Sequence, residues 1–281
     1  VNYCTVNLFQ FFITYASIKG LASDLKPGNY VFGRAAIPEI VRDLIHGGTN
    51  ERVIVIPEGW TVKDIAEYLE KEGAAKKDQF LKLTDYRGFA SIVNRFEFLQ
   101  DKPQNVGLEG YLFPDTYRIF KDATTEDIIG KMLDNFGGKL TSDLREEIKK
   151  RNLKIFDIVR MASLIEKEVV SDEDRAIVSG ILWKRIDLKI GLQVDATIAY
   201  ITGKNTTKIS REETQIDSPY NTYKYRGLPQ GPISNPGLSA LRAAIYPKES
   251  PYLYYLSAPD GRTIFSKTLE EHNEAKARYL K

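Results

Sequence analysis

The spacing of hydrophobic residues predicts strands near both ends of the chain and helices between them. Within residues 28–73, two short β-type runs, "GNYVF" and "RVIVI", each precede a stretch whose apolar residues recur at helical intervals. The two helical stretches superpose on each other, with Ile37 over Val62 and Leu44 over Leu69. This weak internal repeat predicts a small βαβα unit.

Helical patterns occupy most of the middle of the chain. Residues 78–100 and 124–190 are predicted to be largely helical, whereas residues 107–120, which contain Pro114, are predicted to be irregular. Hydroxyl residues followed three positions later by an acidic residue are predicted helix N-caps. They are Thr61, Thr124, Ser171 and Thr268.

The C-terminal third combines a loop with a hairpin. Residues 219–237 contain four prolines and three glycines, which predicts a long ordered loop. At its end, Ser234-Asn235-Pro236 is predicted to cap the next helix. The turn signal "PDG" lies between "YLYYLSA" and "RTIFSK", a pattern typical of a β-hairpin. Strands at the two ends and a helical middle give an α+β fold class.

The first 17 residues form the most apolar segment of the chain. Asn2, Asn7 and Gln10 interrupt the segment at helical intervals, and no run reaches the ~18 apolar residues of a membrane span. We therefore predict an amphipathic helix. The chain has neither the basic n-region of a signal peptide nor an initiating Met, so we expect it to be a piece of a longer protein.

Composition narrows the possible chemistry. The 40 basic residues nearly balance the 38 acidic ones, which argues against a nucleic-acid partner. A single cysteine, Cys4, excludes an internal disulfide framework, and two histidines, His46 and His272, make a histidine metal cluster or a Ser–His–Asp triad improbable. Hydrolytic or lyase chemistry would then depend on carboxylates and tyrosines.

Two carboxylates, Glu166 and Glu168, lie within "ASLIEKEVVSDEDR", between apolar helical stretches. On a helical wheel Glu166 falls inside the apolar arc and Glu168 at its border. Partial burial raises a carboxyl pKa, which keeps the group able to protonate a glycosidic oxygen. For Glu168 the wheel alone favours the alternative, a surface ion pair with Lys167 or Arg175. The same wheel predicts that Glu166 is the buried acid and that loop backbone or a tyrosine binds its carboxyl group.

Three long motifs carry a family resemblance. "MASLIEKEVVSDEDRAIVSGILWKRIDLKIGLQVDATIAY", "SPYNTYKYRGLPQGPISNPG" and "LEGYLFPDTY" together resemble the YceG-like family of endolytic murein transglycosylases. The resemblance extends from about Leu25 to the C-terminus. Separately, "IPEGWTVKDIAEYL" resembles a LysM sugar-binding module, a weaker signal because any capped amphipathic helix could mimic it. The resemblance implies a LysM-like subdomain, at residues 1–85 with the N-terminal helix, and a mostly helical catalytic domain with a lysozyme-like active helix at 86–281.

The resemblance also implies a reaction and its location. The catalytic acid of the family matches Glu168, and Glu166 would be a supporting residue. Such an enzyme cleaves the bond between N-acetylmuramic acid and N-acetylglucosamine in new glycan strands, leaves a 1,6-anhydro end and limits strand length, without metal or cofactor. The implied setting is the outer face of the cytoplasmic membrane, with a single-pass anchor, peptidoglycan as substrate and cell-wall synthases as partners.

Substrate-binding candidates come from the other motifs. Tyr220, Asn221, Thr222 and Tyr223 carry hydroxyl and amide groups suited to sugars, and Gln193 and Asp195 follow the active helix pair. Glu109 and Tyr111 are candidates to line the cleft. Each has a structural alternative: Asn221 as a loop cap, Asp195 as a helix N-cap, and the residues near Pro114 as braces of that turn.

Two other functions remain open at this point. One is a non-catalytic peptidoglycan-binding scaffold of the wall synthesis machinery, and the other is a hydrolysing muramidase. A muramidase needs a second carboxylate as base or nucleophile, whereas a lytic transglycosylase does not activate water. The chemical nature of the product ends distinguishes the three.

Overall fold

A computed structural model describes residues 3–27, 30, 36–46, 51–88, 95–204 and 209–280. Within these residues the chain forms eleven α-helices and four β-strands. The helices are α1 (Tyr3–Ile18), α2 (Ile37–His46), α3 (Val62–Lys71), α4 (Lys77–Thr84), α5 (Thr125–Lys139), α6 (Ser142–Lys150), α7 (Ile155–Glu168), α8 (Asp172–Asp187), α9 (Asp195–Thr202), α10 (Leu238–Ile245) and α11 (Leu269–Tyr279). The strands are β1 (Glu51–Val55), β2 (Thr116–Phe120), β3 (Tyr254–Ser257) and β4 (Thr263–Ser266). This mixture confirms the α+β class.

Two compact units divide the chain. One comprises Val1–Val53 with Arg118–Ala123, and the other comprises Ile54–Tyr117 with Thr124–Lys281. Within the first unit, α1 packs against α2. The predicted boundary between residues 85 and 86 falls inside the second unit, and the functional division at that point stays a prediction.

Helix α1 forms where the sequence predicts a helix. Its sequence does not segregate apolar from polar residues at the helical period, so the predicted amphipathic character is wrong. Among the described side chains of this helix, Phe11 and Ile18 are exposed. Among the described residues, no helix combines the length and the apolar character needed to cross a bilayer.

The four helix starts predicted at hydroxyl residues all form. Each hydroxyl accepts a hydrogen bond of 3.1–3.2 Å from the backbone N–H three residues on, which satisfies one of the free donors of the first turn. These N-caps are Thr61, Thr124, Ser171 and Thr268. Just beyond the C-terminal end of helix α3, Gly73 adopts the left-handed conformation (φ 62°) that commonly ends a helix.

The βαβα repeat is only partly described. Its predicted first strand, at 28–32, falls largely outside the described residues. Strand β1 forms a two-stranded sheet with β2, a strand in the segment 107–120 that was predicted to be irregular. That prediction is wrong at its end, because Pro114 precedes the strand and Tyr117 and Ile119 alternate inward behind it.

The C-terminal hairpin forms as predicted. Strands β3 and β4 are antiparallel, with Tyr255 paired to Phe265, and Gly261 in the turn has a φ of 84°. Helix α11 packs on both strands. This arrangement holds the β3 side chains against the helical part of the same unit.

Helix α7 lies at the centre of the second unit, where α6, α8, α9 and α10 pack against it. Its N-terminus is capped from a distant loop, since Asp101 accepts hydrogen bonds from the N–H groups of Ile155 (2.6 Å) and Phe156 (3.3 Å). Eight of its residues are buried, which leaves polar side chains mainly at its C-terminal end. The helix stops at Glu168 because Val169 is extended.

The loop at 219–237 is irregular, as predicted, and most of its second half is buried. Helix α10 begins after it, with Gly237 rather than Asn235 at the N-cap position. The predicted capping role of Asn235 is wrong because its side chain joins two other turns. It accepts from the N–H groups of Gly110 and Leu112, both at 2.9 Å, and donates to the carbonyl of Trp60 at 3.0 Å.

Candidate active site

Glu168 is the last residue of α7 and is half-buried. The hydroxyl of Tyr255, on strand β3, donates a 2.9 Å hydrogen bond to its Oε2 atom. Burial is the main cause that raises the pKa of Glu168 to about 7, and repulsion from Asp195 adds to it, while the Tyr255 hydrogen bond opposes it. The carboxyl is therefore divided between its protonated and ionised forms near neutral pH, which suits a group that gives and takes a proton.

Glu166 has a different environment. Its Oε1 atom pairs with the Arg175 guanidinium at 2.7 Å, and its Oε2 atom accepts from the N–H of Gly237 at 2.9 Å. Only 5% of the Glu166 side chain and 8% of the Arg175 side chain are exposed. Burial raises the pKa of Glu166, and Gly237 and Arg175 oppose that rise. Both oxygens have partners inside the protein, which suits a structural ion pair.

A second carboxylate lies near Glu168. Asp195 is the first residue of α9 and is exposed, and the hydroxyl of Tyr223 donates a hydrogen bond to its Oδ1 atom. The N-cap of this helix is Val194, so the structural alternative for Asp195, a helix N-cap, is wrong. Gln193 is also exposed and accepts a 3.1 Å hydrogen bond from Arg185. These groups remain accessible to a ligand.

Asn221 and Thr222 are placed differently. Asn221 is fully buried, and its amide nitrogen donates to the carbonyls of Thr214 (3.0 Å) and Ile216 (2.8 Å) while its oxygen accepts from the N–H of Tyr223 (2.9 Å). Thr222 is 1% exposed, and its hydroxyl accepts from the N–H of Val194. The predicted substrate contacts of both residues are wrong, because their polar atoms are already bonded inside the loop. They fix the loop that carries Tyr223.

Glu109 occupies a further polar cluster in the same unit. Its carboxylate oxygens accept from the N–H of Val62, at 3.1 Å, and from the Asn235 side chain, at 2.9 Å. Tyr200 on α9 also hydrogen-bonds to it, and the Tyr200 ring lies 5.1 Å from that of Tyr220. Burial is the main cause that raises the pKa of Glu109 to about 8.

Tyr111 does not line a cleft. Its ring is fully buried, 5.2 Å from Phe136 and 6.2 Å from Phe98. The prediction that it contacts substrate is wrong, because the apolar core of the unit encloses it. Tyr220, in contrast, is half-buried beside Tyr200, so part of its ring stays accessible.

Four polar residues near these clusters were not predicted to act there. Tyr255 lies in a hairpin 87 residues beyond Glu168, and nothing in the spacing of the strand indicates which helix its hydroxyl meets. Tyr200 and Arg185 were read as parts of helices, and Asn235 as a cap. The one available signal was the concentration of tyrosines in "YLYY", which an ordinary aromatic core also explains.

Comparison with known proteins identifies relatives along nearly the whole chain. A Bacillus subtilis (strain 168) protein named endolytic murein transglycosylase is 35% identical over 283 residues, which cover 97% of this chain and 77% of that protein. A Streptococcus pneumoniae (strain D39) protein of the same name is 31% identical over 298 residues, which cover 97% of this chain and 53% of that protein. The chain thus spans about half the length of the pneumococcal relative.

A solved structure is similar as well. The crystal structure of a YceG-like protein from Listeria monocytogenes superposes with a TM-score of 0.73 and 36% sequence identity, over 95% of this chain and 90% of that one. The profile of the YceG-like family matches residues 4–278. The sequence match, the similar fold and the named relatives agree, and the chain belongs to the YceG-like family.

Proposed function

We propose that this chain is an endolytic murein transglycosylase in which Glu168 supplies the transferable proton. Membership of the YceG-like family and the names of its relatives support the activity. The observation that carries the assignment to Glu168 is its setting, half-buried with one phenol partner and a pKa of about 7. Glu166 is unsuited to the role because Arg175 and Gly237 hold both its oxygens.

In the proposed reaction, protonated Glu168 donates to the oxygen between N-acetylmuramic acid and N-acetylglucosamine. The bond from that oxygen to C1 of the muramic acid breaks, and positive charge develops on the sugar ring. The Glu168 carboxylate then accepts the proton of the C6 hydroxyl, whose oxygen bonds to C1 and forms a 1,6-anhydro end. No water is consumed, and Glu168 returns to its protonated form.

Neighbouring groups would position the strand. Asp195, fixed by Tyr223, offers an exposed carboxylate beside Glu168 that would favour positive charge on the ring. Gln193 and Tyr220 offer an amide and a phenol to sugar hydroxyls and acetamido groups. Asn221 and Thr222 would contribute indirectly, by holding the loop that presents Tyr223.

The remaining proposals concern location and context. Residues 1–85 would form a LysM-like subdomain that binds glycan, and residues 86–281 the catalytic domain. The substrate would be nascent peptidoglycan at the outer face of the cytoplasmic membrane, beside wall synthases, and cleavage would limit strand length. The capped helix α3 after a Gly turn supports the LysM-like assignment.

Mass spectrometry of glycan strands digested with the purified chain tests the function. We expect new 1,6-anhydro ends that appear in proportion to enzyme and time. New reducing ends would mean a hydrolase. Binding of strands to the chain without cleavage would mean a scaffold, and either result would overturn the proposal.

A further inference from the structure

Arg185, on helix α8, is a buried cation without a carboxylate partner in the described part of the chain. It is 6% exposed, and its one hydrogen bond there goes to the Gln193 side-chain oxygen at 3.1 Å. Its Nε atom has no hydrogen-bond partner in the same residues. Buried charges in proteins are normally paired, because removing an ion from water is costly. The burial of the Arg185 charge without a carboxylate partner therefore needs a functional or structural explanation.

One other buried arginine and two half-buried ones have conventional partners. Arg175 pairs with Glu166 at 2.7 Å, and Arg160 pairs with Asp157. Arg151 donates to the carbonyls of Ala244 (2.9 Å) and Ile245 (2.8 Å). Like Arg160 and Arg151, Arg185 has an aromatic neighbour, since its guanidinium lies 5.5 Å from the ring centroid of Tyr254. It differs from them because it is buried and has neither a carboxylate nor a backbone carbonyl as a partner among the described residues.

The titratable groups around Arg185 come from a strand, a loop and a helix. Strand β3 contributes Tyr254 and Tyr255, the loop at 219–237 contributes Tyr223, and α11 contributes His272, whose ring stacks 5.2 Å from that of Tyr254. Two of these phenols donate to carboxylates, Tyr255 to Glu168 and Tyr223 to Asp195. The Arg185 charge interacts electrostatically with both phenols, and each of them donates its proton to an acid of the candidate site.

We propose that Arg185 is a positioning residue of the active site, whose charge polarises the hydroxyls of Tyr255 and Tyr223 toward Glu168 and Asp195. A nearby cation makes a phenol a stronger hydrogen-bond donor, and a stronger donor stabilises the carboxylate that it faces. Glu168 becomes a carboxylate once it has given up its proton, so the effect assists that step. The catalytic role of Arg185 rests on the proposed function, whereas the experiment that tests its effect on Glu168 does not.

The electrostatics of the two phenols agree with this arrangement. Burial raises the pKa of both Tyr255 and Tyr223, and the Arg185 charge opposes the rise in each case. Glu168 faces Tyr255 from β3 and the Asp195 charge from α9, and Lys167 precedes it on its own helix. Since the influence of Arg185 on Glu168 passes through Tyr255, it should disappear when the hydroxyl of Tyr255 is removed.

Carbon-13 NMR of the glutamate carboxyl groups tests this directly. The Glu168 resonance is assigned by its loss in Glu168→Gln, and its titration is followed in the unmodified chain, Arg185→Gln and Arg185→Lys. We expect Arg185→Gln to move the titration midpoint of Glu168 upward by at least about 0.5, and Arg185→Lys, which keeps the charge, to restore most of the shift. Arg151→Gln, which removes an arginine stacked over Trp183, is the matched control and should leave the midpoint in place.

A double-mutant cycle separates charge from structure. In a Tyr255→Phe background, Arg185→Gln should no longer move the Glu168 midpoint, because the hydroxyl that connects them is gone. Circular dichroism at each pH checks that the variants remain folded. An unchanged midpoint in folded Arg185→Gln, or an equal shift with and without the Tyr255 hydroxyl, would overturn the proposal. These readouts need no substrate, so they stay independent of whether the chain forms anhydro ends.

Discussion

Glu166 and Glu168 lie two residues apart on one helix, yet their surroundings differ. Both are drawn out of water, and burial raises the pKa of each. Glu166 is closed in by a guanidinium and a backbone N–H, whereas Glu168 has one phenol and remains half-exposed. A carboxylate with every oxygen bonded inside the protein holds the fold together. One with a single partner and an open side can exchange a proton with a ligand.

The largest expected effect follows from Glu168→Gln. This change keeps size and hydrogen bonding but removes the transferable proton, so cleavage should fall by about 10²–10⁴-fold. Binding of glycan strands should persist, because Gln193, Asp195 and Tyr220 are untouched. The rate of strand cleavage and a pull-down with insoluble peptidoglycan measure the two properties. Cleavage at the original rate would move the catalytic role to another residue.

Glu166→Gln should act on stability instead. It leaves the Arg175 charge buried without its main partner, which is expected to cost about 3 kcal/mol of unfolding free energy. Urea denaturation of the two variants side by side measures the difference. A variant as stable as the original chain would show that the ion pair does not support the fold.

The same contrast between polar groups bonded inside the protein and polar groups at the surface occurs in the loop at 219–237. The Asn221 amide is hydrogen-bonded to backbone inside the protein, while the Tyr223 hydroxyl is bonded to the exposed Asp195. We expect Asn221→Ala to lower the unfolding free energy by about 2 kcal/mol, since it leaves several backbone groups without partners. Lys224→Ala, at an exposed position of the same loop, is the control and should change stability by less than about 0.5 kcal/mol.

The cleavage activity of Asn221→Ala then shows whether Asn221 only supports the loop or contacts the substrate directly. If Asn221 only braces the loop, the residual cleavage of Asn221→Ala should recover at lower temperature, where the loop is better populated in its native form. A loss of turnover with unchanged stability would restore the direct substrate contact.

The smallest expected effect is the dependence of stability on pH. The pKa of Glu168 in the folded chain, about 7, lies above its unfolded value of 4.5, so the folded state holds the proton more tightly. Stability from this group is fully present below the unfolded value and is lost as pH rises through about 7. Glu168→Gln removes this dependence, so the variant should gain on the order of 1 kcal/mol relative to the original chain at pH 8 but little at pH 4. Thermal unfolding at the two pH values measures it, and an equal gain at both would contradict the raised pKa.

The sequence predicts the local elements well because their causes are local. Hydroxyl caps followed by acidic residues, such as Thr61 with Asp64, form regardless of the remaining fold, and "PDG" forms its turn for the same reason. The sequence analysis missed strand β2 because β2 is stabilised by pairing with β1, which lies about 60 residues earlier in the chain. A strand of five residues is too short for its hydrophobic pattern to show that it pairs with a distant segment.

The candidate site was predictable only in part. The helical wheel correctly indicates that Glu166 is buried and held by loop backbone, which proves to be Gly237, but it assigns the nearby Arg175 to a possible pair with Glu168. Burial of Asn221 and Tyr111 could not be seen, because both are polar residues in irregular segments, where no period tells inside from outside. The contact between Tyr255 and Glu168 could not be predicted, because the two residues are 87 positions apart in the sequence.

The most direct test of the central claim is digestion of glycan strands in ¹⁸O-labelled water by the original chain, Glu166→Gln and Glu168→Gln, with mass spectrometry of the new ends. We predict unlabelled 1,6-anhydro ends from the original chain and, at temperatures where it remains folded, from Glu166→Gln. Folded Glu168→Gln should yield none. Anhydro ends from Glu168→Gln, or ¹⁸O in the ends made by the original chain, would contradict a non-hydrolytic reaction in which Glu168 gives and then takes the proton.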